Sequence, residues 1–143
     1  MVRRPLLLAA LLLLAAAAAG SAAPLDDAKK QLIERFRAMA DAYGLTADIY
    51  TRCEKKPELA KQIRASLDQA AERLQHEASI KTSLKDVAER AYSAGRKRGS
   101  QLLCSEKPEE FATQMRQMTM NGVNESIARV NELKEQEKPA KPQ

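Results

Sequence analysis

The chain has 143 residues, 24 Lys and Arg against 19 Asp and Glu, a formal net charge of +5, 30% charged residues, 3% aromatics and no tryptophan. That length holds one domain with a modest core. One histidine and two cysteines leave no paired Cys/His spacing for a structural zinc site, and the scarcity of aromatics leaves no platform for stacking nucleic-acid bases.

In chain order, Arg3 and Arg4 precede an unbroken Leu and Ala run from Leu6 to Ala19, followed by the small residues Gly20, Ser21, Ala22 and Ala23. This is the pattern of a signal peptide, with cleavage expected after Ala22, since cutting one residue later would leave Pro24 first in the mature chain. The stretch from Pro5 to Leu25 is also long enough for an uncleaved anchor, but the small residues and Asp26-Asp27 favour cleavage. Residues 1–22 are therefore read as a signal peptide and 23–136 as a helical domain, and removal of Arg3 and Arg4 lowers the formal charge to +3. The expected location is secreted or periplasmic. In such a compartment two cysteines are expected to pair.

Helical periodicity runs through the rest, and no segment alternates at period two. Leu32, Phe36, Met39, Tyr43, Tyr50 and Cys53, with Thr46 filling one turn, predict a helix from about Asp26 to Arg52, bent or interrupted at Gly44. Pro57 suits the first position of a second helix, having no N–H to leave unpaired. Leu59, Ile63, Leu67, Ala70, Leu74 and Ala78 give its apolar stripe. Ser83-Leu84-Lys85-Asp86 resembles a capping box and opens a third helix, with Leu84, Val87, Ala88, Ala91, Gly95 and Leu102 on its inner face. Pro108 opens a fourth, with Phe111, Met115, Met118, Gly122, Ile127, Val130 and Leu133 as its stripe. Residues 137–143, with two prolines and no apolar anchor, read as a disordered tail.

Two stretches echo each other. Cys53 to Arg64 and Cys104 to Arg116 both read Cys-x-x-x-Pro-Glu, then apolar-Ala-x-Gln-apolar-Arg, with one residue inserted in the second. An internal repeat of this period suggests two similar helical hairpins, about 25–79 and 80–136. Each stripe covers one face, so the helices must pack together. The expected fold is all-α, an up-down-up-down four-helix bundle.

A Cys53–Cys104 bridge would staple the hairpins and close a loop of about 50 residues, contributing about 4 kcal/mol in the loop-entropy account. In a square bundle, however, the first and third helices face each other across a diagonal of about 13 Å, whereas a disulfide needs Cα atoms within about 7 Å. The hairpin turns would have to lean inward over the core.

Functional candidates are few. Met115, Met118 and Met120 are soft thioethers of the kind that hold Cu(I), although methionine also fills cores. Arg90, Arg96, Lys97 and Arg98 form a basic set able to meet an anionic partner or surface, and otherwise a solvated helix face. Ala91, Gly95 and Gly99 recur every four residues, as expected where another helix approaches closely or where a helix must hinge. His76 has no second histidine and reads as structural or surface. Asn124-Glu125-Ser126 is a glycosylation sequon, relevant only to a eukaryotic secretory route. No glycine-rich phosphate loop or nucleophile elbow is present. The expectation is a non-enzymatic exported protein with no cofactor, acting as a binding, accessory or chaperone-like module. Its partner would be another exported or envelope protein, not nucleic acid, with a membrane met only at its surface. The alternatives are a copper or small-ligand carrier using the fourth helix, and self-association.

Overall fold

The structure, a computed structural model, describes residues 23–139. Four helices follow one another: α1 (Ala23–Arg52), α2 (Pro57–Glu77), α3 (Leu84–Gly99) and α4 (Glu109–Glu137), with a short 3-10 turn at Cys104–Glu106. No strand occurs among the described residues. The signal peptide expected at 1–22, and the last four positions of the expected tail, lie outside them.

The helix ends follow their sequence signals. Pro57 opens α2, where its missing donor costs nothing. At the other end of α2, Ser79 takes a left-handed conformation, φ 52°. Its N–H donates to His76 O at 3.2 Å, and Ile80 N–H donates to Gln75 O at 3.0 Å, a Schellman closure with serine where glycine is usual. For α3, Ser83 Oγ accepts from Asp86 N–H at 3.3 Å, and Gln75 Oε1, reaching from α2, accepts from Leu84 N–H at 2.9 Å. Two donors that the helix cannot pair internally are thereby satisfied.

α1 is the hub. Every residue from Met39 to Ile49 except Asp41 is buried, because this segment, Asp41 and Asp48 apart, is small or apolar on every side and a helix of that kind needs neighbours all round. α3 and α4 both lie along α1, α2 packs against α1 and α3, and α3 and α4 scarcely touch. The main core gathers Leu32 and Phe36 of α1, Leu67 and Leu74 of α2, Leu84 and Ala88 of α3, and Val123 and Val130 of α4. Leu45, Ile49 and Ala112 form a smaller cluster nearer the cysteines.

The expected diagonal between the first and third helices is absent. α1 and α3 run parallel and meet backbone to backbone. A Cβ built on Gly44 would overlap the Tyr92 carbonyl and lie 3.0 Å from Arg96 N; one on Gly95 would overlap the Asp41 carbonyl and lie 3.0 Å from Leu45 N. Glycine at both positions leaves out the Cβ atoms that would force the helices apart. Gly44, expected to bend α1, therefore serves contact instead, and the Ala91-Gly95-Gly99 series is the complementary surface. One step further along, a Cβ on Gly99 would meet Asp48 Cβ at 3.0 Å. Collapse of this diagonal also removes the objection to the disulfide. Cys53 and Cys104 are bonded, with Cα atoms 5.2 Å apart at a sequence separation of 51.

The register of α4 differs from expectation in its first half. Ala112, Val123, Ser126, Val130 and Leu133 are buried, whereas Phe111 and Met118 are 52% and 67% exposed. Against α1, whose surface there is Leu45 and Ile49, the small side chain of Ala112 allows close approach, and the bulkier Phe and Met are turned outward. The sequon's Ser126 is buried mid-helix, and its Oγ has no hydrogen-bond partner.

Candidate functional site

The cysteine end of the bundle is fastened by Arg52 as well as by the disulfide. Its Nη2 donates to Gly99 O at 2.7 Å and Leu102 O at 2.8 Å, its Nη1 lies 3.1 Å from Cys104 Sγ, and its Nε meets Asp48 Oδ2 at 3.2 Å. The guanidinium fork from the last turn of α1 thus caps the open carbonyls at the end of α3. Sequence reading missed this role. The only signal was an arginine immediately before a paired cysteine.

The basic set does not gather into one patch. Arg98 is paired with Asp41 of α1. Arg90 lines a groove with Arg37, Asp41 and Asp86. Arg96 lines another with Arg64, Asp68 and Glu89. Lys97 is exposed. Consecutive helical positions point about 100° apart, so a run of three neighbouring cations cannot share a face. All three sit in the last turn of α3, where positive charge opposes the helix dipole.

The three methionines are separated in the same way. Met115 borders a groove with Ala38, Leu45 and Arg98, Met120 borders a different one with Tyr43 and Ile63, and Met118 points outward. They share no common cavity. His76, in the last turn of α2, is exposed. Among the described residues no three His, Cys, Asp or Glu side chains come together as a metal site, and no helix is long and apolar enough to cross a membrane.

The N-terminal half of α2 is less deeply seated, with Ala60 and Ile63 only partly buried against the core. Its buried residues, Leu67, Ala71 and Leu74, all lie in the second half, and grooves run along both flanks of the first. On the α3 side, a cavity of about 710 Å³ is bordered by Arg64, Asp68, Glu89, Tyr92 and Arg96. The Arg64 guanidinium lies 4.7 Å from the centre of the Tyr92 ring, a cation–π distance. On the α4 side, a cavity of about 470 Å³ is floored by Tyr43 and Tyr50 of α1 and walled by Leu59, Ile63, Arg116 and Met120. Burial raises the pKa of Tyr43, an effect partly offset by Arg116, and also that of Tyr92, where Arg96 and Arg64 oppose it. Arg64 and Arg116, which close the two echoing stretches, each face a tyrosine carried by the other hairpin.

A second feature lies on the outer flank of α4. Phe111, Met115 and Met118 follow at i, i+4 and i+7, so they lie along one side of the helix. Leu103, in the preceding loop, is 60% exposed. From Phe111 to Asn124 the only charged residue is Arg116, in a chain that is 30% charged. Reading Phe111 and Met118 as core hid this surface. Weighing the small residues Ala112 and Thr119 as inward positions would have revealed it.

No family model, no curated protein and no solved structure matches this chain.

Proposed function

We propose that the protein is a non-catalytic interaction module of the exported compartment that docks an amphipathic helix of another exported protein against the outer flank of α4. The observation carrying this reading is the charge-poor, Met- and Phe-bearing face from Phe111 to Met118. Interface centres are depleted in charge and enriched in Met and aromatics, and a helix in a groove is read by anchors at this spacing. Methionine adapts its shape to a partner at little cost. An uncharged strip favours an apolar partner face over an acidic one, so the basic residues of α3 are not its main determinant. The disulfide supports an oxidising compartment, and the Arg3 to Ala23 segment supports export to it.

The test places a photo-cross-linking residue at Phe111 or Met118, with Gln69 on the exposed face of α2 as control, in the native host. The expected result is one discrete adduct from the two α4 positions, absent from the control, whose cross-linked peptide is an amphipathic helix of another exported protein. Met118→Glu should abolish it without changing the unfolding midpoint. Identical adducts from all three positions would refute the assignment, and an adduct with a second copy of this chain would reassign the face to self-association.

A further inference from the structure

Unlike the neighbouring grooves, the one between α2 and α4 has no carboxylate in its lining. Arg98 on one side of α4 is matched by Asp41, and Arg37 beside it by Glu34 at 2.5 Å. Arg64 on the far flank of α2 has Asp68 at 3.5 Å, and Lys85 near the base of α2 has Glu72 at 2.5 Å. The α2/α4 groove has one charge, Arg116, and no carboxylate in its lining. Among the described residues Arg116 makes neither an ion pair nor a side-chain hydrogen bond. An anion entering this groove would meet a half-buried guanidinium with no competing carboxylate in the lining.

Tyr43 is the second, independent observation. It is 8% exposed, and its hydroxyl has no hydrogen-bond partner among the described residues. Among the described residues Ser126 Oγ is the buried side-chain polar atom sealed from solvent without a partner, so the Tyr43 hydroxyl opens to the groove that it floors and can exchange water for a bound group. The rest of the lining adds neutral donors, Gln62, Ser66, Gln117 and Tyr50, and apolar surface from Leu59, Ile63 and Met120. One cation, several neutral donors and an apolar wall form the chemistry of a site for an amphiphilic anion.

We propose that the α2/α4 groove binds a small organic anion, a carboxylate or phosphate head on an apolar body. The head lies on the Arg116 guanidinium, whose planar fork matches either oxyanion, and accepts a hydrogen bond from the Tyr43 hydroxyl. The body lies against Leu59, Ile63 and Met120. The volume of about 470 Å³ admits a small amphiphile and not a folded partner. The site is separate from the outer flank of α4, and neither assignment depends on the other.

The experiment titrates the disulfide-bonded protein with octanoate, octyl phosphate and octanol. The readouts are calorimetry and intrinsic tyrosine emission, which is unobscured because the chain has no tryptophan and three tyrosines, two of them in this groove. The anions should bind saturably, and octanol, with the same body and no charge, about tenfold more weakly or worse. The tighter of the two anions identifies the natural head group. Arg116→Gln should weaken the anions about tenfold or more and Tyr43→Phe about threefold, with octanol unaffected. Arg116→Lys, which keeps the charge without the fork, should fall between wild type and Arg116→Gln. Calorimetric binding of octanol equal to that of the anions, unchanged anion affinity in Arg116→Gln, or no binding of any probe at millimolar concentration would overturn the proposal.

Discussion

Alanine in place of glycine tests the α1–α3 contact, because one chemical change should give opposite results at two positions. In a helix interior, Gly→Ala stabilises by about 1 kcal/mol through backbone entropy alone. At Gly122 the new Cβ would meet only the Arg35 side chain, at 3.6 Å, an ordinary contact, so the full gain is expected. At Gly95 it would overlap the backbone carbonyl of Asp41, which cannot rotate away, so the helices must part by about 1 Å. A gap of that size forfeits about a quarter to a half of each dispersion contact of 0.1–0.2 kcal/mol. Over an interface of the order of 40 atom pairs this loses about 2–3 kcal/mol, in line with overpacking elsewhere. After the propensity gain, Gly95→Ala should cost about 1–2 kcal/mol net, and Gly44→Ala about the same. At about 4 °C per kcal/mol for a domain of this size, the melting temperature should fall by about 4–8 °C at Gly95 and rise by about 4 °C at Gly122. Thermal and urea unfolding with the disulfide intact measure both. A Gly95→Ala variant as stable as wild type would refute backbone contact between α1 and α3.

Two further outcomes are expected. Ser79→Gly relieves a left-handed serine at the end of α2 and should raise stability by about 1 kcal/mol, measured as a higher urea midpoint at unchanged slope; a loss would show that the Ser79 conformation is not the one described. Burial holds the folded pKa of Tyr43 and of Tyr92 above the ordinary 10.0, so their contribution is fully present below 10.0 and is lost as pH rises through the folded values. The double variant Tyr43→Phe, Tyr92→Phe should therefore lose stability less steeply in strong alkali than wild type, and equal steepness would show that these hydroxyls are not the groups responsible.

Much of the fold was legible because its signals were local. Pro57 and Ser83 mark helix starts through backbone chemistry that no tertiary contact overrides. Leu67 and Leu74 show the buried phase of α2 because polar residues flank them. The cysteine pairing was expected from the export reading alone, against the diagonal that a square bundle implies. What the sequence obscured was relative helix position. Gly44 alone resembles a defect in α1, and it acquires meaning only when Gly95 lies opposite. The α4 register failed for a related reason: size at close approach outranked hydrophobicity, so Ala112 went inward and Phe111 outward. The candidate anion site was the least legible part. Tyr43 was visible as an inward residue, and Arg116 only as the last letter of an echoed stretch. That the arginine lacks a counterion depends on where every carboxylate falls, and periodicity carries no information about that.

Since α3 and α4 scarcely touch and α1 supplies the surface on which both rest, the second half of the chain lacks partner surfaces of its own. A helical pair made of α3 and α4 alone would leave the faces of Leu84, Ala88, Val123 and Val130 open to water. The chain is therefore one cooperative unit whose assembly waits for contacts across more than half its length, slower than is usual for a small helical protein. Of two fragments divided between Lys81 and Thr82, the second should remain unstructured alone and gain helicity when mixed with the first.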